Sequence, residues 1–443
     1  MGSLPNGWIF VNLDELFNLI YGKGLKVDEF TDDGYDVYGA NGIIGKYTEY
    51  NYKDSKVLIS CRGAASGAIH KTKPFSFVTS NSIVLDEYSA NYLNLDFAKY
   101  AMSILDKESV ITGTAQPQIT VQLLKDLQFP LAPLPEQQRI VAKLDTLFAR
   151  IENTKSRLEK IPQLLKNFRQ AVLTQAVTGK LTEEWREGKE LEEWKEVKLG
   201  NYILEIKAGK NFNCPEMPVV KGKVGLVKIS AVTWGKFNEE ETKTVEDETR
   251  IDARLFIKAG DFLISRANTL ELVGASLIVD KIENDIMLSD KIWRVRFEKS
   301  IIPFFIDSFL KSSKGRSEIE SRAVGNQLSM RNISQNSFKD IDIPLPTLEE
   351  QKEMVRRVES LFAKADAIEK QYQTLKQKID SLPQALLAKA FKGELVEQLE
   401  SDGSAEELLK EIQKAKAGLT KSTKKLLKNE IDIAAERVVG YGK

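Results

Sequence analysis

The stretch PLAPLPEQQRIVAKLDTLFARIENTKSRLEKIPQLLKNFRQAVLTQAVTGKL, residues 130–181, recurs as PLPTLEEQKEMVRRVESLFAKADAIEKQYQTLKQKIDSLPQALLAKAFKGEL, residues 344–395. The offset is 214 throughout with no gap, and 16 of the 52 aligned pairs are identical, including Glu136/Glu350, Gln137/Gln351, Phe148/Phe362 and Gly179/Gly393. Further upstream, Trp8-Ile9-Phe10-Val11-Asn12-Leu13 is echoed by Trp194-Lys195-Glu196-Val197-Lys198-Leu199. The chain is therefore two copies of one unit, each a variable domain followed by a similar helical segment.

The helical segments carry a seam. Ile140, Leu144, Leu147, Ile151, Thr154, Leu158, Ile161, Leu165, Phe168 and Val172 follow alternating steps of four and three. The second copy continues the pattern with Met354, Val358, Leu361, Ala365, Ile368, Tyr372, Leu375, Ile379, Leu382 and Leu386. This is the a/d spacing of a coiled coil. Pro135 suits a first helical turn, and Gly179 and Gly393 suit C-terminal stops. Pro162 and Pro383 fall inside the pattern and predict a kink or split in each helix. An exposed seam invites aggregation, so the two should pair with each other. Because a whole domain, residues 195–343, lies between them, the return path predicts an antiparallel pair. A helix of roughly 40 residues would be about 60 Å long.

Composition narrows the function. The chain has 443 residues, 64 Lys plus Arg against 64 Asp plus Glu, one histidine and two cysteines. Zero net charge disfavours nucleic-acid binding by bulk charge, leaving local patches. One histidine (His70) excludes schemes that need two, and Cys61 and Cys214 cannot build a disulfide framework or a four-cysteine zinc site. No apolar run approaches ~18 residues, and Asp14 and Glu15 interrupt what would be a signal-peptide core, so the reading is cytoplasmic with no membrane partner.

The variable parts contain short apolar runs such as Lys56-Val57-Leu58-Ile59-Ser60 and Asp261-Phe262-Leu263-Ile264-Ser265, and alternation over Val219–Val232 and Lys291–Phe297. These are strand signals, with helical stretches at Phe97–Leu105 and Ile306–Lys311 between them. The fold class is α+β: two domains of mixed sheet and helices, separated by a long antiparallel helical coiled coil built from the repeated segments. The expected boundaries are 1–130, 131–190, 191–345, 346–400 and a helical tail at 401–443. No phosphate loop is present, and the glycines of Gly39–Gly45 around Asn41-Gly42 read as turn chemistry. Basic residues Arg294, Arg296, Lys299, Lys311, Lys314, Arg316 and Arg322 are a candidate stripe in the second domain.

This architecture resembles the specificity subunit of type I restriction-modification enzymes. The resemblance rests on Pro133–Val141 and Pro344–Lys352, similar to the starts of that family's central and distal conserved regions, and on Leu387–Leu395, similar to the end of the distal one. Tyr38–Gly45, Gly113–Ile119 and Gly260–Arg266 resemble segments of its target recognition domains. The resemblance implies that each variable domain binds one half of a bipartite, asymmetric double-stranded DNA site. It implies that the helices dock two modification (methyltransferase) subunits, with restriction (endonuclease/translocase) subunits joining them. S-adenosylmethionine, ATP and Mg would then sit on those partners; this chain would hold no cofactor or metal and would not be catalytic. The tail from Val396 to Lys443 would dock on a subunit or on the first domain.

Base edges are read by Arg, Lys, Asn and Gln. In the first domain the candidates are Asn41, Lys46, Arg62, Lys71, Lys73, Gln116 and Gln118. In the second they are Lys210, Arg266, Asn268, Arg322, Asn326, Gln327 and Arg331. Arg62 and Arg266 each follow a Leu-Ile-Ser strand end, which predicts equivalent roles. The competing readings are a stand-alone DNA-processing enzyme, such as a nuclease with a metal site among its carboxylates, and a coiled-coil scaffold that does not touch DNA.

Overall fold

The computed structural model describes residues 4–89, 92–113, 116–233, 235–327 and 330–419, with Asn326 and Gln327 described by backbone alone. The chain divides into two units: Met1–Arg157 with Leu375–Lys443, and Leu158–Thr374. Unit 1 is thus assembled from both ends of the chain and unit 2 from its middle.

In unit 1, Ile9–Asn12 pairs antiparallel with Gln128–Leu131, so the first and last strands of the variable domain close on each other. The central sheet has the order Phe17–Tyr21, Ser82–Glu87, Val57–Ser60, Ile69–Lys71, all antiparallel. A second sheet places Tyr35–Gly39 between an antiparallel neighbour, Gly42–Tyr47, and a parallel one, Phe77–Val78. Apolar runs explain the centre: every residue of Val57–Ser60 is buried, as a strand covered on both faces requires.

Unit 2 repeats the plan. Lys195–Lys198 closes on Asp342–Leu345. The central sheet runs Ile203–Ala208, Ile292–Phe297, Phe262–Ser265, Ser276–Ile278, again antiparallel. The mixed sheet has Val224–Val227 between antiparallel Thr242–Val245 and parallel Ile286–Met287. The alternation read over Val219–Val232 yields only that one short strand, because the chain turns into a short helical turn at Ile229–Ala231.

The helical segments are Leu134–Leu158 and Ile161–Val177 in the first copy and Leu348–Ala390 in the second. In unit 1, Ile140, Val141 and Leu144 share a core with Leu387, Ala390 and Phe391; the start of one helix meets the end of the other. In unit 2, Val172, Ala176 and Val177 share a core with Met354 and Val358, the opposite ends. The pairing is antiparallel in both. Arg169 adds ion pairs to Asp366 at 2.6 Å and Glu369 at 2.9 Å.

The two prolines behave differently. The first helix breaks at 159–160, and Pro162 sits in the first turn of the helix that follows, where its missing N–H costs nothing. Pro383 breaks nothing: the 43-residue helix runs through it. One lost ladder bond is tolerated there because the following turns are anchored in the unit 1 core by Leu387 and Ala390.

The tail is part of unit 1. A helix over 405–419 contributes Ala405 and Ile412 to the unit 1 core. Lys416 Nζ donates to the Asp14 carbonyl at 2.9 Å and lies 5.0 Å from the Tyr88 ring centre, and Gln413 bonds Glu15. The tail therefore docks on the first domain; residues 420–443 lie outside the described residues.

The seam is graded in burial, which sets a stability test. Leu144 is fully buried, whereas Phe168 is 39% exposed. Leu144→Ala should cost about 2–5 kcal/mol in urea unfolding, and Phe168→Ala less than about 1 kcal/mol.

Candidate nucleic-acid interface

Each variable domain is held to its long helix by one buried arrangement. Trp8 Nε1 donates to Glu136 Oε2 at 2.9 Å, and Trp194 Nε1 donates to Glu350 Oε2 at 2.9 Å. Both carboxylates are buried at the start of their helices. The second oxygen of Glu350 accepts from Thr182 Oγ1 at 2.6 Å and lies 3.3 Å from Arg186 Nε; that of Glu136 accepts from Gln398 at 3.5 Å. The next residue completes the clamp. Gln137 accepts from the Asn94 N–H and donates to the Ala132 carbonyl; Gln351 accepts from the Ile302 N–H and donates to the Ser300 and Pro346 carbonyls. Asn94 and Ile302 are the N-cap residues of the helices Leu95–Ile104 and Pro303–Lys311. The Glu-Gln pair, identical in both repeats, thus positions each domain from its own helix. The repeat identity was the signal for it, and sequence reasoning assigned it no role.

In unit 1 the candidate surface forms where two loops meet at Ser60. The Ala40-Asn41 turn joins two antiparallel strands, with Gly42 at φ +84°, a conformation that favours glycine. The Ala40 carbonyl accepts from the Ser60 hydroxyl and from His70 Nε2 at 3.3 Å, and this anchoring leaves Asn41 exposed. Beyond Ser60, Cys61 turns into the core, where burial pushes its thiol pKa up, and Arg62 emerges exposed. Arg62 pairs in an antiparallel bridge with Gln118, and the Gly63 N–H donates to the Pro117 carbonyl at 3.0 Å. Gln116 and Gln118 are exposed beside it. Gly113, at φ +84°, is required because a Cβ there would lie 2.7 Å from the Gln116 carbonyl oxygen. Asn41, Arg62, Gln116 and Gln118 are thus brought to neighbouring loops. Of the Gly113–Ile119 segment, Thr114 and Ala115 lie outside the described residues.

The unit 1 lysines are engaged. Asp36 accepts from Lys46 at 2.6 Å and Lys73 at 2.8 Å, and those bonds hold its carboxyl below the usual range. Lys71 pairs with Asp96 at 2.6 Å. The lysines of these pairs are partly or largely exposed, while Asp36 is buried.

In unit 2, Ala267–Asn268 pairs with Met330–Asn332, which in turn pairs with Val324–Gln327. Asn268 stands opposite Arg331. Asn268 and Met330 line a cavity of about 440 Å³ with Asn211, Lys228, Lys243 and Lys291. Lys210 lines a neighbouring one of about 600 Å³ with Phe212, Arg250 and Arg254. The sequence reading missed Asn211, Lys228, Lys243 and Lys291, since nothing in their spacing distinguishes them from surface residues. Asn326 and Gln327 lie on the strand, and their side chains are outside the described residues. Arg322 is held by Glu318 at 2.8 Å, with Asp340 and Asp342 at 3.6 and 3.8 Å.

Two expectations are corrected. The basic stripe is largely spent within the protein: Arg294 binds Asp261 and two carbonyls, Arg316 binds the Val273 and Leu270 carbonyls, Lys311 binds Asp307, and Lys314 binds Glu196. Arg62 and Arg266 are also not equivalent. The Ile119 N–H donates to the Cys61 carbonyl, while the Ile333 N–H donates to the Arg266 carbonyl. Arg266 therefore occupies the place of Cys61, one residue before that of Arg62, because Cys61 stands between Ser60 and Arg62 whereas Arg266 follows Ser265 directly.

Among the described residues no group of three or more His, Cys, Asp or Glu side chains is placed to hold a metal ion, and no helix is long and apolar enough to cross a membrane. Two domains of one topology are each clamped to a helix pair, and each carries a different set of Arg, Asn and Gln at matching places.

The comparisons place the chain further. The family described as type I restriction modification DNA specificity domain matches residues 5–163 and 191–377. The chain is 30% identical to the EcoKI type I restriction enzyme specificity subunit of Escherichia coli (strain K12), over 96% of this chain and 99% of that one. It is 27% identical to the EcoBI specificity subunit of Escherichia coli, over 96% of each. The solved HsdS subunit from Thermoanaerobacter tengcongensis shares the fold at a TM-score of 0.58 and 18% identity, covering 89% of this chain and 98% of that one. The chain belongs to the family of type I restriction-modification specificity subunits, DNA-recognition proteins that are not themselves the catalytic subunits.

The clamp carries a pH signature. Burial raises the Glu136 pKa above its ordinary value, so the folded state holds this proton more tightly than the unfolded one. That term is most favourable at low pH and is lost as pH rises from the unfolded pKa, about 4.3, through the folded one. The stability difference between wild type and Glu136→Gln should shift against wild type across that window, read by urea unfolding at stepped pH. Glu136→Ala, which strands Trp8 Nε1, should cost about 1–3 kcal/mol, with the same pH drift superimposed.

Proposed function

We propose that this chain reads a bipartite, asymmetric double-stranded DNA site, unit 1 one half and unit 2 the other, for a complex with two modification subunits and with restriction subunits. The observation that carries the reading is that the two units carry different polar residues at matching places of the same topology, exposed in unit 1 and mostly half-buried in unit 2. Asn41, Arg62, Gln116 and Gln118 are the proposed readers of one half-site, and Lys210, Arg266, Asn268 and Arg331 those of the other. Lys46, Lys71 and Lys73 would leave their carboxylates for phosphates. S-adenosylmethionine, ATP and Mg belong, in this reading, to the partner subunits, and the complex works in the cytoplasm.

Partner docking is supported by the open part of the seam. Phe168 and Ile368 in unit 2, and Leu375 and Leu382 in unit 1, are 39–47% exposed. Each unit holds its own antiparallel helix pair, so each offers its own docking surface. Co-purification with the modification subunit followed by native mass measurement should give two copies per chain. A ceiling of one copy at saturating partner would overturn the two-site arrangement.

The helices are proposed to set the unread spacer between half-sites. Ala176 and Val177 are buried in the unit 2 core, so an insertion there would damage the domain. Seven residues added after Lys160 and seven after Thr374, both exposed, keep the seam in register and lengthen both helices by about 10 Å. At roughly 3.4 Å per base pair, the spacer in the methylated motif should grow by about three. An active variant with an unchanged spacer would show that the helices do not set it.

A further inference from the structure

Arg266 and Arg331 differ from the other arginines of unit 2. The Nε atoms of both are buried without a hydrogen-bond partner, and neither side chain makes a hydrogen bond or ion pair among the described residues. By contrast, Arg250, Arg254, Arg294, Arg316 and Arg322 each bind a carboxylate or a carbonyl.

Their register sharpens the contrast. Arg266 accepts at its carbonyl from Ile333 at 2.9 Å, and Arg331 stands opposite Asn268. At the same register, unit 1 has Cys61, which accepts from Ile119 at 3.0 Å, and Pro117, whose carbonyl accepts from Gly63. Cys61 is 1% exposed. One copy of the fold thus fills these places with a small core side chain and an imino acid, and the other fills them with two guanidinium groups.

A buried polar group of a cation without an acceptor is costly, and the cost is recovered when an acceptor arrives. The surroundings select that acceptor. The side chains of Arg266 and Arg331 are half-buried rather than enclosed, and their strand neighbours Asn268 and Met330 line the 440 Å³ cavity with Lys291. A guanidinium whose stem is buried at Nε presents its fork in a restricted direction. That suits a planar, two-acceptor edge better than a mobile phosphate. Guanine offers such an edge in O6 and N7.

We infer that Arg266 and Arg331 read guanine in the half-site bound by unit 2, and that the matching places of unit 1 contribute no such contact. The inference rests on the DNA-reading function proposed above. The test uses the full chain assembled with its modification subunits, with the methylated motif read by sequencing of modified bases. Duplex binding over a salt series accompanies it. The variants are Arg331→Gln, Arg331→Lys and Arg266→Cys; the last imports the residue that the same register already accommodates in unit 1.

In each variant a guanine position of one half-site should become degenerate, with discrimination there falling by about 5- to 150-fold. The other half-site, the spacer and the native mass of the complex should be unchanged. Arg331→Lys should lose discrimination like Arg331→Gln, because it keeps the charge and loses the fork. An unchanged motif overturns the inference while leaving the function standing. So does a uniform loss of affinity on all duplexes with a salt slope reduced by about one, which would mark phosphate contacts. A wild-type complex that writes no bipartite motif would overturn the function itself and this inference with it.

Discussion

The structure depends on a buried carboxylate at the start of each long helix. Glu136 and Glu350 are removed from water, which is tolerable only because an indole N–H and a second donor satisfy each of them. The following glutamine ties the same helical turn to the cap of a domain helix. A purely apolar contact would hold the domain to the helix without fixing its angle. Directional bonds to Trp, backbone N–H and backbone C=O fix it, and they do so identically in two domains whose other surfaces differ.

That constancy frees the rest of each domain to vary. The closing strands, the central antiparallel sheet and the mixed sheet recur in one order in both units, while the loops at the ends of Val57–Ser60 and Phe262–Ser265 carry unlike residues. In unit 1 the loop carries an exposed Arg62 facing Gln118; in unit 2 the strand edge carries Asn268 facing Arg331. A scaffold fixed by buried polar bonds and a reading surface set by exposed side chains are separable in energy, since exposed polar substitutions away from such bonds change stability little.

Charge follows the same division. Among the described residues of unit 2, most arginines and several lysines are bound to carboxylates or carbonyls of the same unit. Among the described residues of unit 2, Arg266 and Arg331 are the arginines left without an internal partner. In the proposed reading, specificity rests on few contacts with fixed geometry, and the bulk electrostatic attraction to DNA comes from the partner subunits.

Much was legible from residue order alone. The repeat, the two helical segments, their pairing and its antiparallel sense follow from a 214-residue offset and a period near three and a half, because burial of an apolar stripe is a one-dimensional constraint. The family resemblance followed from the same residues. Three-dimensional placement decided the rest. Whether Pro383 breaks its helix depends on what anchors the turns after it, and whether Arg322 or Arg331 is free depends on which carboxylates the fold brings within reach. The Arg62 and Arg266 comparison failed because Cys61 stands between Ser60 and Arg62 whereas Arg266 follows Ser265 directly, and the hydrogen bonds from Ile119 and Ile333 align Arg266 with Cys61. Residue order determines which stripes must be buried; only the folded chain determines which charges are left without a partner, since that depends on contacts between residues far apart in sequence.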